Sequence, residues 1–167
     1  MIDPIHLLTY VVRPVLQDLL LWSPEAERLV LGTACQESEC GRYLVQLGNV
    51  KGGGLGIYQM EEKSYKDHWI NYLQHKPVLA AKVCHWSVCV PPEVPDATEM
   101  IGNLNFATAM CRIHYLRVAE PIPNELTKQA RYWKSAYNTK LGKGTPEQYI
   151  SNWRRFVPGD LPWTAQV

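Results

Sequence analysis

The sequence predicts a mainly helical fold with one glycine-rich insertion. Two observations carry this. Apolar residues recur at helical spacing in most segments bounded by prolines. The one long stretch that breaks the pattern, residues 42–60, holds five glycines. That density is incompatible with a helix, so the stretch is expected as a long loop with scraps of strand, a small β element at most. Pro91, Pro92 and Pro95 leave too little chain on either side for two cores. Residues 1–167 are therefore expected to form a single domain.

The elements follow in order. Asp3-Pro4 caps and opens a first helix with Ile5, Leu8 and Val12 inward, and Pro14 is expected to break or kink it. A second short helix is expected over residues 15–21. Ser23 then caps the central helix, with Pro24 at its first position and Glu25 and Glu27 at the positive end of its dipole. Trp22 is placed to pack back as a staple. Gly41 is the expected left-handed stop. After the glycine-rich loop, Tyr65, Trp69 and Leu73 mark a helix over residues 61–73. Pro77 opens a helix through Val78, Ala81 and His85. Asp96 and Glu99 form a capping-box pattern before a long helix with Leu104, Ala107, Cys111, His114, Tyr115 and Val118 on one face. Asn124 is the expected cap of a helix bearing Leu126, Ala130, Trp133 and Tyr137. Thr145-Pro146-Glu147-Gln148 caps the last helix, which Pro158-Gly159 stops.

Composition excludes several classes. Hydrophobic residues make up 46% and charged residues 20%, a globular balance, and a net charge of +1 lacks the basic footprint of a nucleic-acid binder. No run is apolar enough to span a membrane. The start, Met1-Ile2-Asp3-Pro4-Ile5-His6, lacks the basic-then-apolar pattern of a signal peptide. The expectation is a protein made in a cytoplasm and carried elsewhere, if at all, by other means. The five cysteines, Cys35, Cys40, Cys84, Cys89 and Cys111, are expected as small buried thiols. A zinc site using them with His85 is the weaker alternative, since structural zinc sites use tighter spacings. No metal and no cofactor is expected. His114, on an apolar stripe, reads as a satisfied core histidine.

The chemistry concentrates at the end of the central helix. Ala26, Leu29, Val30, Thr33 and Ala34 define its inner face, and Glu37 continues that stripe while Glu39 faces away. Burial disfavours the charged carboxylate, and the negative end of the helix dipole acts in the same direction. Both favour a carboxylic acid that holds its proton near neutral pH, as a general acid requires. Tyr137 also falls on an inner stripe, where its hydroxyl needs a partner that a nearby carboxyl would supply. Gln59, beside the glycine-rich loop, is placed to hydrogen-bond a ligand oxygen or to brace a turn.

The order Glu37-Ser38, Gly56-Ile57-Tyr58-Gln59, Asn105 and Ala136-Tyr137-Asn138 resembles the lytic transglycosylase and goose-type lysozyme superfamily. Residues 22–73 also resemble phage-encoded transglycosylase-like proteins, and the whole resemblance spans residues 22–156. It implies a lysozyme-like fold that cuts the β-1,4 bond between N-acetylmuramic acid and N-acetylglucosamine in peptidoglycan. By that resemblance Glu37 is the catalytic acid, and Ser38, Tyr58, Gln59, Tyr137 and Asn138 bind substrate. Ile57-Tyr58 stand where the family usually has Leu-Met, which implies a different sugar subsite. Glu62 stands where a proline is common, and residues 42–53 lack the family's Ser-x-x-Gly-Ala segment.

Such a cleavage needs a proton donor and support for a positive anomeric carbon. Glu61, Glu62 and Asp67 are candidate second carboxylates, though their place at a helix start suits a solvated, dipole-favoured role. In the family the substrate's N-acetyl group can assist instead. Hydrolysis and anhydro-forming transglycosylation both remain open. The six tryptophans and nine tyrosines suit a saccharide groove. The implied partners are peptidoglycan strands and, for a phage protein, other virion proteins; an endolysin is the other phage role. The alternative is a phage structural or glycan-binding protein that keeps the fold without cutting.

Overall fold

A computed structural model describes residues 1–47, 53–88, 93–138 and 142–159. It is mainly helical, with one two-stranded sheet. Gly48, Gly52, Cys89, Pro91 and Pro92 lie outside the described residues.

Helix α1 spans Pro4–Leu7, capped by Asp3, whose side chain accepts from Ile5 N and His6 N. A π-turn, Leu8–Val12, leads straight into α2, Arg13–Asp18. Pro14 therefore does not break the chain. A proline removes one backbone donor and crowds the carbonyl four residues back. Here the turn before it widens, with Arg13 N bonded to Leu8 O, five residues back. The second helix consequently begins at Arg13 and not at residue 15.

Helix α3, Pro24–Ser38, is the central element, with Ser23 accepting from Ala26 N. Its interior face, including Leu29, Val30 and Ala34, is fully buried. Glu27 does more than complement the dipole. Its buried carboxylate takes a two-pronged contact from Arg13, at 2.8 and 2.9 Å, and one from Trp22 Nε1 at 2.7 Å. Trp22 thus acts as a donor and is itself exposed. The left-handed stop comes two residues before Gly41. Glu39, Cys40 and Gly41 all have positive φ, at 50, 54 and 81°, and Ala34 O accepts from both Glu39 N and Cys40 N.

Strands β1, Gly54–Leu55, and β2, Met60–Glu61, pair antiparallel with Leu55 opposite Met60. Gly54 is required by close approach, since a Cβ there would lie 2.5 Å from Gln59 O. At Gly56 a positive φ of 69° and a would-be contact of 2.2 Å with Met100 O leave room for nothing larger. Helix α4, Glu62–Asn71, follows directly, then a 3₁₀ turn, Leu73–His75, and α5, Pro77–His85. Val78 and His85 of α5 are exposed; Val83 and Cys84 are its buried residues.

A 3₁₀ turn, Ala97–Ile101, precedes α6, Leu104–Leu116. Asp96 caps that turn through Thr98 N, but Glu99 bonds forward to Asn103 and not back to the cap. The long helix is capped by Asn103, which leaves Asn105 inside it. Helix α7, Leu126–Trp133, has Glu125 in the cap position, and Asn124 instead offers its carbonyl to Arg28. A second π-turn, Lys134–Asn138, continues α7. Helix α8, Pro146–Phe156, carries the complete capping box of Thr145 and Gln148. Its Tyr149 is fully buried against Gly32 of α3, where a Cβ would meet the phenol oxygen at 1.9 Å.

One cluster of buried apolar side chains runs through all of these helices. Among the described residues no helix is long and apolar enough to cross a membrane.

Candidate active site

The end of α3, the β1–β2 turn and the π-turn after α7 converge on one cleft of about 560 Å³. Glu37, Gln59, Tyr137 and Asn138 line it, far apart in sequence and brought together by the fold. His114 of α6 and Glu61 at the start of α4 complete the wall, with Gln36, Gln46 and Ser64.

Glu37 is half-buried, and its Oε1 accepts from Trp133 Nε1 at 2.9 Å. Loss of water raises its pKa and the indole bond opposes that rise. Burial dominates, and the carboxyl reaches about 7. A proton is therefore present on a large share of the molecules at neutral pH, on a group that faces an open cleft.

Tyr137 lies in the π-turn, a wide geometry that turns side chains away from regular helical positions. Its hydroxyl donates to Tyr58 O at 2.9 Å, so its partner is a backbone carbonyl and not the Glu37 carboxyl. That bond ties the π-turn to the β1–β2 turn across the cleft. Burial pushes the Tyr137 hydroxyl well up, with Cys111 and Glu37 adding to the effect, so it stays a neutral phenol.

Gln59 has a positive φ of 48° and its Nε2 donates to Gly56 O at 2.8 Å. It braces the turn and still leaves the amide oxygen and second N–H for a ligand. Asn138 Oδ1 accepts from Lys134 Nζ at 2.7 Å, and the same ammonium donates to Gly142 O at 2.7 Å. Lys134 thus holds the residues on either side of positions 139–141 against each other.

Ser38 and Tyr58, expected to bind substrate, do not line the cleft. Both are buried, with 1% of their surface exposed, because their hydroxyls are spent on internal bonds. Ser38 Oγ donates to Ile57 O at 2.6 Å and accepts from Gly41 N at 2.9 Å, fastening the end of α3 to the β1–β2 turn. The Tyr58 hydroxyl shares a 2.8 Å hydrogen bond with Thr108 of α6. These bonds fix the residues next to Glu37 and Gln59 in the chain.

Of the three other candidate carboxylates, Glu61 alone lines the cleft. Glu62 pairs with Lys66 and Asp67 with Arg117. Glu61 directly follows the glycine-rich turn and closes β2, a sequence position that could have marked it.

His114 is the satisfied histidine expected, and it also lines the cleft. Its Nε2 donates to Ala136 O at 2.8 Å, which makes its Nδ1 an acceptor. His68 Nε2 donates to that nitrogen at 3.0 Å, and His68 Nδ1 accepts in turn from Arg117. Both rings are neutral in this chain, and burial holds both below the ordinary imidazole pKa, His68 at about 3. The His114 ring packs on Tyr137 at 4.6 Å between centroids.

Trp133 and His114 were readable as stripe residues but carried no sign of a role. Trp133 lies one turn before Tyr137 on the same face, and that shared face was the available signal. Among the described residues no group of three His, Cys, Asp or Glu side chains could hold a metal; Cys89, part of the zinc alternative, lies outside them.

No family model, no curated protein and no solved structure matches the chain.

Proposed function

We propose that the chain is a glycosidase that cuts the β-1,4 bond between N-acetylmuramic acid and N-acetylglucosamine in peptidoglycan. The observation that carries this is Glu37, a carboxyl whose burial raises its pKa to about 7 and which opens on a 560 Å³ cleft. The motif resemblance adds the substrate class, and with it a phage-encoded role at the bacterial cell wall, virion-borne or as an endolysin.

Glu37 protonates the glycosidic oxygen as the bond to the anomeric carbon stretches. Its desolvated carboxyl gives up that proton to a leaving alkoxide far more readily than an exposed carboxylate could supply one at neutral pH. The amides of Gln59 and Asn138 provide hydrogen bonds to acetamido and hydroxyl oxygens, and Tyr137 supplies an aromatic wall. Glu61 or the substrate's own N-acetyl group supports the positive anomeric carbon. Glu37, now ionised, then takes a proton from the attacking oxygen. Water as attacker gives hydrolysis, and the sugar's 6-hydroxyl gives a 1,6-anhydro end.

The test is release of soluble muropeptides from purified cell walls by wild type and by Glu37→Gln, with products read by mass spectrometry. Wild type releases fragments, and their ends report water or 6-hydroxyl attack. Glu37→Gln releases none while its circular dichroism is unchanged. Retained binding to walls with no release by wild type would favour a glycan-binding protein.

A further inference from the structure

We infer that Cys35 and Cys40 form a reversible disulfide that staples the C-terminal end of the helix carrying Glu37. The two sulfurs lie 2.8 Å apart, and both residues are fully buried. The backbone is arranged to bring them together. Three successive left-handed residues, Glu39, Cys40 and Gly41, fold the chain back so that position 40 returns over position 35. For Glu39 and Cys40 that conformation is unfavourable, and surrounding contacts must impose it. Ala34 O holds both amide groups, and Ile2 N donates to Cys40 O at 2.7 Å, fixing the turn from outside.

Cys84 sits by Glu93 O at 3.9 Å, and Cys111 lies beside Tyr137. Glu37 falls inside the ring that the bond would close, so the staple bears on the last turn of α3 and on nothing remote. The neighbouring Cys40 thiol and then burial push the Cys35 thiol up, so it is unreactive while covered, and oxidation accompanies folding or opening of this end.

The step is thiol–disulfide exchange with a small-molecule disulfide. One thiol loses its proton and attacks, forming a mixed disulfide and releasing one small thiol. The second thiol loses its proton and displaces the other. The two cysteines give up two protons and two electrons, and the small disulfide is reduced to two thiols.

The test is refolding of the reduced full chain in glutathione buffers of graded oxidised-to-reduced ratio, followed by acid quench, alkylation and trypsin. Cleavage after Arg28 and Arg42 places both cysteines on the peptide 29–42. Expected is that peptide, unalkylated and lighter by two hydrogens, at ratios where Cys111 is still alkylated. The oxidised chain melts at a higher temperature than the reduced one, and Cys40→Ser removes the difference. If refolding fails, the same map is made on native protein held with oxidised glutathione in mild urea. Alkylation of both residues at every ratio, pairing with another cysteine, or a lower melting temperature on oxidation would each overturn the inference. No cleavage activity is read, so the result is independent of the proposed reaction.

Discussion

The indole N–H of Trp133 donates to Oε1 of Glu37 at 2.9 Å, and it is the bond that limits the rise in pKa of a desolvated carboxyl. Burial raises the Glu37 pKa while this bond lowers it. Replacing Trp133 by Phe removes the donor and keeps most of the apolar volume. The Glu37 pKa is then expected above its wild-type value of about 7. A carbon-detected NMR titration of the side-chain carboxyl reads the shift. A lower value would mean that the indole is not the carboxyl's stabilising partner. Trp133 is fully buried, so a stability loss of about 1–3 kcal/mol accompanies the change.

Stability should fall as pH rises through the window set by Glu37. Its folded pKa, about 7, lies above the 4.5 of an ordinary glutamate, so the folded state binds the extra proton. The contribution is complete below pH 4.5 and is lost by about pH 7. The difference corresponds to at most about 3 kcal/mol, and partial exposure reduces it. Glu37→Gln keeps the acceptor for Trp133 and cannot ionise. Urea unfolding at pH 8 should find it more stable than wild type. Equal stability at pH 8 would place Glu37 in a solvated setting.

The histidine pair pulls in the other direction. The folded pKa of His68, about 3, lies below the ordinary 6.5, so the neutral form is favoured. Its contribution is complete above pH 6.5 and disappears as pH falls toward 3. Over the overlap with Glu37 the two slopes offset, and Glu37→Gln should expose the acid-side loss that wild type conceals. Nitrogen NMR at neutral pH should show both rings protonated at Nε2 only, since His114 donates to Ala136 O from that atom. A ring protonated at Nδ1 would contradict the relay.

Ser38→Ala should cost about 1–3 kcal/mol, because it orphans the buried Ile57 carbonyl and the Gly41 amide. It should also lower kcat while leaving the Glu37 pKa near its wild-type value, since Ser38 touches the turn and not the carboxyl. Muropeptide release under saturating substrate reads the first effect. A raised KM with unchanged kcat would instead assign Ser38 to substrate binding.

Much of the scaffold was legible because it rests on local rules. Ser23-Pro24 and Thr145-Pro146 announce helix starts through side chains that cap their own first turn. Glu37 was legible because a carboxyl in register with Leu29, Val30 and Ala34 has to turn inward. What remained hidden depends on distant contacts. Pro14 reads as a break, but packing of the buried Leu8, Val12 and Val15 holds a widened turn together across it. Ser38 and Tyr58 read as site residues from their neighbours in sequence, yet their hydroxyls meet Ile57 O and Thr108 from other elements. Glu61 reads as a solvated helix start, and only the β1–β2 pairing brings it to the cleft. The Glu37–Trp133 bond joins residues far apart in the chain and left no local mark.

The most direct measurement is the titration of the Glu37 carboxyl in the intact wild-type chain, assigned by its absence from Glu37→Gln. The account predicts a midpoint of about 7, with muropeptide release falling as pH rises through it. A midpoint near the 4.5 of an exposed glutamate, with release unchanged across that range, would contradict it.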